Sequence, residues 1–118
     1  MTRVLIVDDN RDTADTLSVL LQIWGHETRK AYDSESVIQH ALAFQPEVVL
    51  LDLGLPRLDG FAVARKLREY QKLVSVRIAA ITGYTAASDV RKCQDAGFDE
   101  YFAKPIVSDR LHEYLNHF

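Results

Sequence analysis

One cysteine, Cys93, stands in the 118 residues, so no disulfide can close within the chain. Such cysteine usage fits a reducing compartment, and Cys93 itself reads as a small apolar residue on a helix. No apolar stretch approaches the roughly 20 residues that span a bilayer. The opening MTRVLIVDD turns acidic after four apolar residues, unlike a signal peptide. The expected location is the cytoplasm, with no membrane partner. Basic runs are also missing: lysine and arginine are scattered and the net charge is −3, which argues against nucleic acid as a partner. The four histidines lack metal-ligand spacing; His26 and His40 read as surface positions, and His112 and His117 lie near the chain end. No Gly-Lys-Ser/Thr occurs, which excludes a P-loop nucleotide enzyme.

What is present is an ordinary globular composition, 47% apolar and 26% charged, in a length expected to form one domain over residues 1–118. Short apolar runs alternate with helical patterns. Val4–Val7, Val48–Leu51 and Ile78–Ile81 are apolar on both faces, as strands buried in a parallel sheet must be. Glu27–Ala31 is a more polar strand expected at a sheet edge, and Glu100–Ala103 is a fifth. Helices are predicted over Asp12–Trp24, from a cap at Asp33 or Ser34, over Phe61–Tyr70, over Ala86–Ala96, and from a cap at Ser108. Gly25 and Gly97 are placed to stop the first and fourth. This alternation predicts an α/β fold with a five-stranded parallel sheet covered by helices on both faces.

In such a sheet, ligands bind outside the carboxyl ends of the strands. Asp8 and Asp9 follow the first strand, Asp52 ends the third, Thr82 the fourth, and Lys104 follows the fifth. All are therefore expected at one edge. Carboxylates about 4 Å apart repel by roughly 4 kcal/mol at an effective dielectric of about 20, so a cation or a proton must intervene. An all-oxygen acidic cluster suits Mg²⁺, with Mn²⁺ as an alternative. A metal, an ammonium and a hydroxyl around one carboxylate make a cradle for a phosphoryl group, with Asp52 as nucleophile.

Four motifs carry a resemblance: VLIVDDN at 4–10, VLLDLGLPRLDG at 49–60, AAITG at 79–83 and AGFDEYFAKP at 96–105. The chain resembles the receiver domain of bacterial two-component response regulators over nearly its whole length. The resemblance implies a doubly wound, flavodoxin-like sheet of order 2-1-3-4-5. It implies Asp52 as phosphoacceptor and Asp8 and Asp9 as the acidic pair, with Asp9 favoured as the direct metal ligand. It further implies Gly54 as a carbonyl ligand to the metal, Thr82 and Lys104 as groups holding the phosphoryl oxygens, and Tyr101 as an aromatic switch moving with Thr82. A cis peptide before Pro105 comes with the same resemblance, as does tuning of hydrolysis by Gly54 and Tyr84, where the bulk of Tyr84 is expected to shield the acyl phosphate from water. The implied partners are a histidine kinase or phosphotransfer protein of a phosphorelay, and a downstream effector.

The expected role is thus a signalling domain catalysing only its own phosphorylation and dephosphorylation. An aspartyl-nucleophile phosphatase wants a second carboxylate two residues after Asp52, where this chain has Gly54. A flavin protein wants a phosphate loop after the first strand, where this chain has acids. The other alternative is a receiver-like interaction module independent of phosphorylation.

Overall fold

The computed structural model describes residues 1–53, 59–82, 91, 94–103 and 108–118, without the side chains of 103 and 108. The strands are β1 (Arg3–Val7), β2 (Glu27–Ala31), β3 (Val48–Asp52), β4 (Arg77–Thr82) and β5 (Glu100–Ala103). The helices are α1 (Arg11–Ile23), α2 (Val37–Phe44), α3 (Gly60–Arg68) and a C-terminal helix (Ser108–Leu115), with a 3₁₀ turn at Gln71–Leu73. All strand pairs are parallel, in the order β2-β1-β3-β4-β5. The predicted class and strand order therefore hold. Of the predicted fourth helix, Arg91, Gln94 and Asp95 are helical, and the remainder up to Ala96 lies largely outside the described residues.

Strand alternation sorts the apolar runs onto two faces. Leu5, Val7, Val49, Leu51, Ile78 and Ala80 pack with Val37 and Ala41 of α2 and Val63, Ala64 and Leu67 of α3. Val4, Ile6, Val48, Leu50, Ala79, Ile81 and Phe102 pack with Ala14 and Leu21 of α1 and Leu111 and Leu115 of the C-terminal helix. Each fully buried aliphatic side chain in these two cores stabilises by about 1.5–3 kcal/mol. The charged, half-exposed β2 lies at an edge, as its composition predicts.

The helix ends follow local chemistry. Asn10 caps α1, its side chain accepting from the Thr13 N–H at 3.1 Å. At the other end the Gly25 N–H donates to the Gln22 carbonyl and the His26 N–H to the Leu21 carbonyl, the Schellman pattern, with Gly25 at φ +90. The expected cap at Asp33 becomes a turn instead: Asp33 accepts from the Ser36 N–H at 2.8 Å and α2 starts later, at Val37. α2 is closed by Gln45 at φ 51, a left-handed residue with no glycine to announce it.

Candidate functional site at the carboxyl edge of the sheet

β1 and β3 are neighbours at the point where strand order reverses, the crevice in which doubly wound sheets bind ligands. Val4 pairs with Val48 and Ile6 with Leu50, and all four face the α1 side. Continued by one pleat, this register sets Asp8 beside Asp52 on that same face, on strands about 4.8 Å apart. Both carboxylates are buried, at 5% and 3% exposure, although they are flanked by apolar strands. Asp8 accepts from the Asn10 N–H at 2.9 Å, so the residue that caps α1 also orients the first acid. Asp9 is half-buried.

Thr82 is buried at the end of β4. Its neighbours Ile78 and Ala80 belong to the α2–α3 face, so alternation carries Thr82 onto that face, opposite to Asp52. Tyr101 pairs with Ala80 and packs against the same core, while Thr82 pairs with Ala103. Thr82 and Tyr101 are therefore diagonal neighbours on one face of β4 and β5. The sequence places the polar residues at a common edge; only the register divides them into an acidic pair on one face and a hydroxyl–aromatic pair on the other.

Two further details shape this edge. The Leu53 N–H donates to the Ile81 carbonyl at 2.8 Å, extending β3–β4 pairing past Asp52. α3 then begins against it: a methyl at Gly60 would meet Leu53 Cδ2, so glycine lets the helix approach closely. Asp59 caps that helix by accepting from the Ala62 N–H at 3.1 Å.

The sequence reading singled out none of the rim residues. Tyr32 and Lys30 each donate to Asp15 Oδ1 at 2.8 Å, and the Arg11 guanidinium lies 4.2 Å from the centre of the Tyr32 ring. The Lys30 ammonium, then the Tyr32 hydroxyl, hold the Asp15 carboxyl below its ordinary range. A run such as ETRKAYD shows charge without showing which helix it will meet.

Gly54, Tyr84, Lys104 and Pro105 lie outside the described residues. Among the described residues, no three His, Cys, Asp or Glu side chains are grouped as a metal centre. The register brings together two carboxylates, Asp8 and Asp52. Mg²⁺ keeps several waters and needs only one or two protein carboxylates, so a buried all-oxygen pair fits it.

The response regulator receiver domain family matches residues 4–116, and the chain belongs to that family. More particularly, it is 32% identical to the DNA-binding dual master transcriptional regulator RpaA of a Synechocystis strain, over 94% of this chain and 46% of that protein. It is 35% identical to hybrid signal transduction histidine kinase L of Dictyostelium discoideum, over 96% of this chain and 7% of that protein. The chain thus spans less than half the length of these curated relatives. The receiver domain of sensor histidine kinase PA1611 of Pseudomonas aeruginosa, solved with a magnesium ion in its active-site cleft, superposes with a TM-score of 0.86 at 27% identity, covering 98% of this chain and 95% of that one. This chain is accordingly a receiver domain of two-component signal transduction, and among its described residues no helix is long and apolar enough to cross a membrane.

Proposed function

We propose that the domain, with its bounds at residues 1–118, accepts a phosphoryl group from a phosphohistidine onto Asp52. The observation that carries this reading is the burial of Asp8 and Asp52 side by side at the β1–β3 switch point. Two acids buried side by side repel each other, and a divalent cation between them would offset that repulsion. A divalent ion held by Asp8, Asp9, Asp52 and the Gly54 carbonyl would supply charge neutralisation to the phosphoryl oxygens.

The chain's own residues do the rest. An Asp52 carboxylate oxygen attacks phosphorus in line, the P–N bond breaks, and the imidazole leaves with the electron pair and takes a proton. The product is an acyl phosphate. Burial of Asp52 keeps bulk water away from the attacking oxygen. Thr82 donates its hydroxyl, and Lys104, next in sequence after β5, its ammonium, to the added oxygens. Thr82 moves toward the phosphoryl group and Tyr101, its diagonal neighbour, follows. The surface formed by the predicted fourth helix, β5 and the C-terminal helix is thereby changed for an effector. Hydrolysis is tuned at Gly54 and Tyr84. The domain transforms no outside substrate, and its partners, a histidine kinase or phosphotransfer protein and an effector, place it in the cytoplasm.

The test is intact-protein mass spectrometry after incubation with a small phosphoryl donor, with and without Mg²⁺. Wild type should gain one phosphate only with Mg²⁺, and Asp52→Asn none. Equal uptake by Asp52→Asn would remove the assignment. No uptake by wild type would favour the phosphorylation-independent interaction module.

A further inference from the structure

At the edge of the sheet opposite to Asp52, His26 reverses its sequence reading: it is not a surface residue but only 6% exposed. The Schellman turn at Gly25 folds it under α1. Its Nδ1 accepts from the Thr2 N–H at 3.1 Å. A ring nitrogen that accepts carries no proton, so the neutral ring bears its proton on Nε2. Nε2 is buried and has no hydrogen-bond partner among the described residues.

Thr2 is also the meeting point of three segments. Its hydroxyl donates to the Leu115 carbonyl at 2.8 Å, in the last turn of the C-terminal helix. Its own carbonyl accepts from the Glu27 N–H at 3.1 Å, which starts the β1–β2 pairing. Beside this seam the Trp24 ring lies 4.3 Å from His112 of the C-terminal helix.

A second proton on His26 can go only to Nδ1. It would turn the acceptor into a donor facing another donor, the Thr2 N–H, and place a cation where there is little water. We propose that His26, Thr2 and the Leu115 carbonyl form an acid-sensitive latch, which fastens the C-terminal helix to the start of β1 while the imidazole is neutral and loosens when it is protonated. The groups around the ring agree with this. Burial first, then the Met1 ammonium and His112, push the His26 titration below its ordinary 6.5, against the Glu47 carboxylate, which opposes them. Because the folded chain binds this proton less readily than the unfolded one, the latch contributes fully above pH 6.5 and is lost as pH falls from there through the folded value. The latch does not depend on Asp52.

The test uses the full chain. Denaturant unfolding of wild type and His26→Gln is compared at about pH 7.5 and about pH 5.5; the glutamine does not titrate in this range. The folding equilibrium of wild type should fall about three- to tenfold further on acidification than that of His26→Gln, the range open to one histidine over this interval. Equal acid dependence of the two proteins, as expected if His112 alone responded, would overturn the latch. Should His26→Gln fail to fold, NMR of wild type decides. His26 Cε1–H should titrate below pH 6.5, and the Thr2 and Leu115 amides should shift with the same midpoint. Titration at or above 6.5, or immobile Leu115 amides, would overturn it equally.

Discussion

The two edges of this sheet are made of the same strands and carry opposite kinds of polarity. At the carboxyl edge, the polar residues Asp8, Asp52 and Thr82 are buried at strand ends. At the amino edge, polar groups are tied to one another across the fold. Arg68, at the end of α3, donates through Nε and Nη2 to the Gly97 carbonyl and through Nη1 to the carbonyls of Val74 and Val76, and pairs with Asp99. Asp99 in turn accepts from the Ile78 N–H at 2.9 Å. Arg3 and Glu47 bond each other's backbone, and Thr2 ties His26 to Leu115. The amino edge is where helices and strands are fastened, and the carboxyl edge is where the proposed phosphoacceptor chemistry would take place. Substitutions at one edge should therefore change stability, and at the other activity.

The strongest challenge to that division is Asp52→Asn, expected to abolish phosphate uptake by mass spectrometry while its denaturation midpoint stays near wild type. A collapse of the fold would show that the acidic pair is structural. Next comes Arg68→Ala. It strips three carbonyls and a partly buried carboxylate of their donor, so unfolding should become easier by about 2–4 kcal/mol in urea, with phosphate uptake retained. Loss of uptake in a folded Arg68→Ala protein would mean that the two edges are coupled.

Thr2→Val keeps the shape and removes only the hydroxyl, leaving the buried Leu115 carbonyl without that donor. The expected loss is about 1–2 kcal/mol, again with uptake unchanged. Asn10→Ala is the smallest and the most telling, because Asn10 serves both purposes, capping α1 by its side chain and orienting Asp8 by its N–H. Loss of the cap should cost about 1 kcal/mol. The backbone bond to Asp8 survives the substitution, so Mg²⁺ affinity, followed by NMR, should move little. A large loss of affinity would show that the side chain, not the backbone, sets the acid.

NMR is the better probe there. Trp24 is the C-cap that follows the 13-residue α1, about 20 Å along the helix from Asn10, against His112 at the amino edge. Its fluorescence reports on the latch rather than on the acidic pair.

Much of this molecule was legible as a string. Runs such as VLIV and VVLL read as strands buried on both faces, and the helical spacing between them argues for parallel crossovers. The residue following each run must then lie at the carboxyl edge, which locates Asp8, Asp52 and Thr82 without coordinates. These features depend on periods of two and 3.6, which are local. Ser18 shows where local reasoning stops. A polar residue of α1, it is buried and hydrogen-bonded to Thr28 Oγ1 at 2.7 Å across to β2. His26 reads as a surface position for the same reason, since nothing in GHETR announces a backbone N–H from Thr2 and a helix 89 positions further on at Leu115. The chain by itself determined which residues form strands and at which end of the sheet the acids stand. Tertiary structure alone decided that Asp8 and Asp52 share one face, that Thr82 and Tyr101 share the other, that Arg68 meets carbonyls of distant segments, and that His26 has a buried partner. Register and burial are set by pairings between distant segments, and those have no local period to betray them.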